Sequence, residues 1–277
     1  MSQAHRLPDD GLVVYAQTCH GMSLQIVKAF VVAFVFVLMG DFVIFADMKK
    51  KLVISTGAGM SAESGIATFR DAGGLWDRYP VMDVASADGF RRNPALVHEF
   101  YNKRRRELVN CSPNAGHLGL KELEKHFDTY IITQNVDDLH ERAGSAHVLH
   151  LHGELMKVRS MTHPERIYTL DKDHLETSPE TRDEYGDPVR PHIVFFQEPV
   201  PMIEKAIEWA QQADIFVVIG TSLNVYPAAG LLGYVRRGVP VYYIDPNPAA
   251  VPPGVTVIKM CASEGVAYLA KLLTGKE

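Results

Sequence analysis

A run of small residues directly after an apolar stretch is the first candidate for chemistry. Residues 52–56 are rich in β-branched side chains, and Gly57, Ala58, Gly59 and Ser61 follow them. A strand that ends in closely spaced small residues lets the backbone approach a phosphate and directs N–H groups towards it. The spacing fits only the first half of the common dinucleotide pattern G-x-G-x-x-G. The run therefore predicts either a diphosphate site or a plain tight turn from strand to helix.

Amide and carboxylate side chains cluster after a second apolar stretch. Gln134, Asn135, Val136 and Asp137 follow the stretch 129–133. Burying such polar groups without partners costs on the order of a few kcal/mol. The cluster therefore either faces solvent in an ordinary turn or contacts a polar ligand.

A short segment holds three histidines, His147, His150 and His152. If the segment is extended, we expect all three side chains on one face, which would suit a metal site. Zinc sites usually gather ligands from more than one segment, and no second cluster of suitable ligands accompanies these histidines in the sequence. We therefore expect no metal, and we interpret His147 and His150 as non-catalytic.

A basic stretch carries a phenol and a guanidinium at helical spacing. Tyr101 and Arg104 lie three positions apart and share one helix face. Together they suit a carboxylate, which arginine binds through two charge-assisted hydrogen bonds and the tyrosine hydroxyl through one more. The alternative is a solvated basic face. We interpret the next two side chains, Arg105 and Arg106, as surface charge.

Six motifs in one order resemble the signatures of the sirtuins, the NAD-dependent protein lysine deacylases of the Sir2 family. The resemblance covers roughly residue 51 to the C-terminus. The motifs are Gly-Ala-Gly-x-Ser-x-x-Ser-Gly-Ile-x-x-Phe-Arg at 57–70, Pro-Asn-x-x-His at 113–117, Thr-Gln-Asn-x-Asp at 133–137, His-Gly at 152–153, Arg-Pro-x-Ile-Val-x-Phe-Gln-Glu at 190–198 and Gly-Thr-Ser-Leu-x-Val-x-Pro-Ala at 220–228.

The resemblance implies how the polar residues act. His152 would be the catalytic base that deprotonates a ribose hydroxyl, a task that suits an imidazole with a pKa of about 6.5. Asn135 would act beside it by ordering a water molecule, and Asp137 would hold the nicotinamide carboxamide. The implied contacts to NAD come from Gly57, Ala58, Gly59, Ser61, Phe69, Arg70, Trp76, Gln134, Asn135, Val136, Asp137, Gly220, Thr221, Ser222, Asp245, Pro246, Asn247 and Ala262.

The resemblance also implies the substrate and the reaction. The Arg-Pro motif would clamp an acylated protein or peptide as an added strand, and Ile193, Val194 and Phe196 would contact the acyl-lysine. Tyr101 and Arg104 resemble the class III subgroup, which accepts succinyl, malonyl or glutaryl lysine as well as acetyl lysine. NAD would be consumed, because the acyl group is transferred to ADP-ribose and nicotinamide is released.

Two features depart from the sirtuin pattern. Most sirtuins carry two Cys-x-x-Cys pairs between the His-Gly and Arg-Pro motifs, whereas this chain has no cysteine there, and we expect no zinc. Gln197 stands where the family has glycine, which removes the conformational freedom of glycine at the mouth of the lysine tunnel. These departures keep open a non-catalytic module that binds NAD or ADP-ribose. A conventional dehydrogenase is a weaker alternative, because the ordinary glycine fingerprint is missing.

The alternation of short apolar stretches with helical ones predicts an α/β fold, with a Rossmann-like, mostly parallel sheet and helices on both faces. The strand candidates are 52–55, 129–133, 215–220 and 241–244. We expect a smaller inserted domain. The expected boundaries are about 48–79, 111–152 and 192–277 for the core, about 80–110 and 153–191 for the smaller domain, and 1–47 for an apolar N-terminal extension.

Composition limits the partners and the compartment. The 277 residues are 47% hydrophobic with a formal net charge of −5, which gives no overall electrostatic reason to bind nucleic acid. Three widely spaced cysteines fit a reducing, cytoplasmic compartment. The apolar residues 26–46 are interrupted by Lys28 and Asp41, and they would contact a membrane only if they insert. The alternative that we favour places the true start of the protein at Met48.

Overall fold

Two sheets of unequal size organise the part of the chain that the computed structural model describes, residues 49–67 and 79–275. The strands are β1 Lys51–Thr56, β2 Asp128–Thr133, β3 Val148–His150, β4 Gly153–Ser160, β5 Ile167–Thr169, β6 Val189–Ile193, β7 Ile215–Ile219, β8 Val241–Ile244 and β9 Val255–Ile258. The α-helices are α1 Val81–Val84, α2 Ala87–Arg92, α3 Pro94–Leu108, α4 Ala115–Leu123, α5 Leu139–Arg142, α6 Ile203–Gln212 and α7 Ala262–Thr274.

The larger sheet has six strands in the order β3-β2-β1-β7-β8-β9, and every neighbouring pair is parallel. Its central strand β7 is buried along its whole length, as expected when helices cover both faces. The predicted Rossmann-like sheet is therefore confirmed. Strands β3 and β9, at the two edges of the sheet, were not among the strand candidates. Strand β3 has only three residues, whereas β9 is entirely β-branched and was detectable from its composition.

Alternating side chains of β1 supply the two separate cores of this sheet. Leu52 and Ile54 pack in one cluster with residues of α4 and α7, whereas Val53 packs on the opposite side with Ala206 and Ala210 of α6. Successive residues of a strand point to opposite faces, which is why one short strand joins both cores. The carboxyl ends of β1, β2, β7 and β8 consequently meet at one rim, where ligands collect in open α/β sheets.

The smaller sheet is antiparallel and has the order β5-β4-β6. Helices α1 to α3 pack against it through a third apolar cluster, in which Phe100 and Tyr101 of α3 contact Leu155 of β4 and Phe195 beyond β6. Asn93 caps α3 by accepting a hydrogen bond from the Leu96 N–H, with Pro94 in the first turn. The packing presents one face of α3 to the rim of the larger sheet.

The expectation that Arg105 is a surface charge is wrong, because this side chain is completely buried. Its Nε donates to the Leu155 carbonyl oxygen over 2.8 Å, and its NH1 donates to Asn102 Oδ1 over 2.8 Å and to Thr177 Oγ1 over 3.2 Å. These bonds satisfy Nε and NH1 of the buried guanidinium, whereas NH2 has no partner in the described part of the chain. Arg105 thus fastens the segment around Thr177 to α3, whereas Arg106 is exposed as expected.

Some expectations concern residues outside the described ranges. The apolar stretch 26–46 and three of the implied NAD contacts, Phe69, Arg70 and Trp76, lie there. Among the helices within 49–67 and 79–275, none combines the length and the apolar composition needed to cross a membrane.

Candidate active site

The loops after β1 and β7 touch through glycine backbone. The Gly57 N–H donates to the Ile219 carbonyl oxygen (2.9 Å), and the Gly59 N–H donates to the Gly220 carbonyl oxygen (2.8 Å). A Cβ on Gly59 would lie 2.7 Å from the Gly220 Cα, and Gly220 has a φ of 62°. Only glycine allows so close a contact and this backbone angle.

This contact changes the interpretation of the glycine run. The run leads into two short 3₁₀ turns, and the N–H groups of Met60 and Ser61 donate to the carbonyl oxygens of Gly57 and Ala58. Among the N–H groups of residues 57–61, only that of Ala58 makes no hydrogen bond to the described part of the chain. The run therefore offers the Ala58 N–H as a donor that has no partner within residues 49–67 and 79–275, and its glycines serve the contact between loops.

Asn135 is held at three of its polar atoms. Its backbone N–H donates to Thr133 Oγ1 (3.0 Å), its backbone oxygen lies 3.0 Å from His150 Nδ1, and its Nδ2 donates to Ser61 Oγ (3.1 Å). Ser61 Oγ donates in turn to Asp137 Oδ2 over 3.0 Å. Burial raises the pKa of Asp137, although the hydrogen bonds from Ser61 and from the Leu139 N–H oppose the shift. Asn135 is only 7% exposed, and its amide borders the cavity.

The environment of His152 suits a neutral base. Its Nδ1 lies 3.1 Å from the Gln134 carbonyl oxygen, which accepts a hydrogen bond and so requires the proton on Nδ1. The lone pair is then on Nε2. Burial lowers the pKa of His152 below its ordinary value, and the hydrogen bond to Gln134 only partly offsets this. Near neutral pH the imidazole is consequently neutral: Nδ1 carries its one proton, and Nε2 can accept another.

The three histidines do not share one face, and that expectation is wrong. His147 stacks on Tyr130 with ring centroids 4.7 Å apart, His150 lies between Asn135 and Glu141, and His152 borders the cavity. His147 and His150 are three positions apart, so a strand places them on opposite faces, and the chain bends directly after His150. No group of three or more potential ligands that could hold a metal ion occurs within residues 49–67 and 79–275.

Tyr101 and Arg104 border the same cavity from α3. Tyr101 is 2% exposed, and burial raises its pKa to about 12, so its hydroxyl remains a donor. Burial lowers the pKa of Arg104, while the neighbouring Tyr101 and Asp137 oppose the shift. An arginine keeps its charge in such surroundings. The guanidinium lies 5.8 Å from the centroid of the Phe100 ring, which places a cation in a largely apolar part of the cavity.

The segment after β6 forms the opposite wall and is fixed at several points. The Val194 N–H donates to the His152 carbonyl oxygen (3.0 Å), and the Phe196 N–H donates to the Ala85 carbonyl oxygen (2.8 Å). Gln197 adopts a φ of 76°, and its Nε2 donates to Asp88 Oδ2 over 2.7 Å. Gln197 therefore keeps a backbone angle typical of glycine and tethers the segment to α2.

The opposite end of the cavity is formed by loops after β7 and β8 and by the start of α7. The Tyr243 hydroxyl donates to the Thr221 carbonyl oxygen (2.7 Å), and the Asn247 N–H donates to Asp245 Oδ1 (2.8 Å). Glu63 Oε2 accepts the Ser263 N–H in the first turn of α7 over 2.8 Å. A carboxylate at a helix N-terminus is favourable, and here it joins the glycine run to the wall beside Ala262.

One cavity of about 670 Å³ collects most of the expected site residues. Those that line it are Gly57, Ala58, Gly59, Tyr101, Arg104, Gln134, Asn135, Val136, His152, Ile193, Val194, Phe196, Gly220, Thr221, Ser222, Asp245, Pro246, Asn247 and Ala262. Ser61 and Asp137 are not among the described lining residues; Ser61 contacts Asn135, and Asp137 contacts Ser61. Sequence reasoning missed other lining residues, among them Glu63, Phe100, Phe195, Tyr226 and Ile244. Phe100 and Phe195 were detectable, because each is adjacent to an expected contact.

Comparisons with known proteins agree with this geometry. The sequence profile of the Sir2 family matches residues 57–227. An NAD-dependent protein deacylase of Bacteroides thetaiotaomicron is 56% identical over 229 residues, which cover 81% of this chain and 98% of that protein. The crystal structure of a Sir2 homologue in complex with NAD is similar with a TM-score of 0.73 and 36% identity, over 82% of this chain and 90% of that one. A structure of Sir2Tm bound to a propionylated peptide has a TM-score of 0.69 and 28% identity, over 86% and 99% of the two chains. The chain belongs to the Sir2 family.

Proposed function

We propose that this protein is an NAD-dependent protein lysine deacylase whose cavity takes succinyl, malonyl or glutaryl lysine as well as acetyl lysine. Membership of the Sir2 family and the deacylase relatives support the NAD-dependent reaction. The observation that carries the acyl preference is Arg104, a charged group beside Tyr101 in the cavity that His152 also lines. A guanidinium that borders the cavity can bind the distal carboxylate of an acyl group through charge-assisted hydrogen bonds.

The residues at the rim fit the dinucleotide. The Ala58 N–H and the Thr221 hydroxyl border the cavity where the two glycine loops touch, and both are donors suited to a diphosphate. Asp245 lies directly after β8, where its carboxylate can accept hydrogen bonds from ribose hydroxyls. When bound, NAD supplies an electrophilic ribose carbon at its bond to nicotinamide.

His152 and Asn135 act on the reacting groups. His152 Nε2 would take up a proton from a ribose hydroxyl as that oxygen bonds to the acyl carbon, after the acyl oxygen has replaced nicotinamide on the ribose, while Nδ1 keeps its hydrogen bond to Gln134. Asn135 is fixed by three hydrogen bonds, so its side-chain oxygen has a set position for orienting a water molecule or a ribose hydroxyl. Phe195 and Val194 add apolar wall to the same cavity.

Arg104 and Tyr101 recognise the distal carboxylate of a dicarboxylic acyl group. The guanidinium donates to both carboxylate oxygens, and the Tyr101 hydroxyl stays protonated because its pKa is about 12 and adds a further hydrogen bond. An acetyl group has no carboxylate and gains none of these hydrogen bonds. The pair therefore favours the longer, acidic acyl groups.

The test uses one peptide in acetylated and succinylated forms, each incubated with the protein and NAD. Mass spectrometry of the peptide and of the released nicotinamide follows the reaction. We expect loss of the acyl group with one nicotinamide released per peptide, and a higher kcat/KM for the succinylated form. An unchanged peptide with bound NAD would support the non-catalytic module, and formation of NADH would support a dehydrogenase. Preference for the acetylated form would contradict the role of Arg104.

A further inference from the structure

His150 has no role in the reaction as described, yet both of its ring nitrogens are engaged. Nδ1 lies 3.0 Å from the Asn135 carbonyl oxygen, and Nε2 lies 2.7 Å from Glu141 Oε1 on α5. The His150 side chain is 8% exposed, whereas that of Glu141 is 41% exposed. The imidazole therefore bridges a surface carboxylate and the backbone of Asn135, a residue that borders the reacting groups.

Only one of the three contacts that hold Asn135 can titrate near neutral pH. The Thr133 and Ser61 hydroxyls keep their protons throughout this range, whereas an imidazole can lose one. Both partners of His150 are oxygen acceptors, so both contacts are hydrogen bonds only when both nitrogens carry protons. A neutral imidazole has a single N–H and must release either Asn135 or Glu141.

The surrounding charges favour the doubly protonated form. Burial lowers the pKa of His150, but the hydrogen bond and charge of Glu141, with smaller contributions from Glu154 and the Asn135 oxygen, raise it above its ordinary value overall. Asp137 also faces His150 from the loop after β2. His140 on α5 also faces His150, but burial holds its pKa well below the ordinary value, so it is neutral near pH 7 and adds no opposing charge. Lys157, which faces Glu141, is paired with Glu154 at 2.7 Å.

We propose, on the basis of the deacylase function above, that His150 is a positioning residue for Asn135, and that loss of its second proton at alkaline pH frees Asn135 and slows the reaction. The negative charge of Glu141 keeps this second proton on the His150 ring at lower pH. The acid limb of the activity profile then belongs to His152, which must be neutral, and the alkaline limb belongs to His150, which must be charged.

The test measures kcat against pH for the wild type, Glu141→Gln and His150→Gln. Glu141→Gln keeps a hydrogen-bond partner but removes its charge, so we expect the alkaline limb to move to lower pH. His150→Gln cannot titrate, so we expect kcat to fall about tenfold and the alkaline limb of His150 to disappear. His147→Gln is the matched control, since that ring stacks on Tyr130, and its profile should match the wild type.

A second measurement does not depend on activity. The imidazole signals of the whole protein, followed by NMR against pH, report the titration of His150 in the wild type and in Glu141→Gln. We expect its pKa above the ordinary value in the wild type and lower in the variant. An ordinary or lowered pKa in the wild type overturns the inference, and so does an alkaline limb that stays in place while the His150 signal moves. A wild type that forms no deacylated peptide at any pH would contradict the deacylase function instead.

Discussion

Replacing Arg104 by methionine tests how the cavity recognises the acyl group. Methionine keeps an unbranched side chain of similar length and removes the charge and all five donors. Its neighbours include the Phe100 ring, 5.8 Å from the guanidinium, and the buried Tyr101. Both are aromatic and favour contact with a thioether, so the wall should stay intact.

The magnitude follows from the hydrogen bonds that are lost. A hydrogen bond between charged partners contributes about 1.5–3 kcal/mol, which corresponds to about a 10- to 150-fold loss in kcat/KM on a succinylated peptide. The acetylated peptide offers no carboxylate to Arg104, so its kcat/KM should change by less than about threefold. Tyr101→Phe removes one neutral donor and should cost about 0.5–1.5 kcal/mol on the succinylated peptide alone.

The assay compares steady-state kcat/KM for the two peptides with each variant. Arg106→Met is the matched control, because it removes an arginine from the same helix at an exposed position that pairs with Glu176. We expect it to leave both rates unchanged. Equal losses on both peptides for Arg104→Met would refute recognition of the distal carboxylate and would indicate that Arg104 supports the cavity as a whole.

Three further predictions concern the walls and the stability of the fold. Gln197→Gly relieves a left-handed backbone angle but removes the tether to Asp88, so steady-state kinetics should show a peptide KM raised severalfold and an unchanged KM for NAD. Arg105→Met removes the buried hydrogen bonds to the Leu155 carbonyl oxygen, Asn102 and Thr177, and should lower the free energy of unfolding in urea by about 3 kcal/mol, whereas a loss below about 0.5 kcal/mol would contradict its structural role. Burial lowers the pKa of His98 and of His117 to about 4, so below 6.5 the unfolded chain binds protons that the folded chain does not. As the pH is lowered from 6.5 to 4, the free energy of unfolding in urea should therefore fall by about 1 kcal/mol per histidine for each pH unit. A free energy of unfolding that stays constant over this range would contradict the burial of these two histidines as neutral rings.

The central strands were predictable because they are continuous apolar runs. Strands β1 and β7 are buried on both faces, and burial of that kind leaves a strong sequence signal. Strand β3 has three residues and includes His150, so only its pairing with β2 defines it. A strand this short carries little composition signal of its own.

Arg105 shows where residue type misleads. Helical spacing places it one turn after Tyr101 and close to Leu108, and both of these residues are buried. Periodicity alone would therefore have placed Arg105 inside, whereas the preference of charged residues for solvent argued the opposite. The partners that make the buried position possible are Asn102 and Thr177. Asn102 is polar and so gives no apolar signal, and Thr177 is distant in sequence.

The residues that line the cavity were more predictable than the hydrogen bonds that hold them. The motifs singled out Asn135 and His152, and both line the same cavity. They did not reveal that Ser61 contacts Asn135 and Asp137 contacts Ser61, because the direction of a side chain in a loop depends on hydrogen bonds that spacing does not encode. The pairing of His150 with Glu141 was hidden for the same reason.

The most direct test of the account replaces His152 by alanine and follows NAD binding together with deacylation of an acylated peptide. Calorimetry should show that NAD still binds, because the glycine loops and the end of β8 are untouched. Mass spectrometry should show deacylation reduced at least about 100-fold, the loss expected for a general base. Deacylation within a few-fold of the wild type would contradict the assignment of His152 as the base on which the proposed reaction depends.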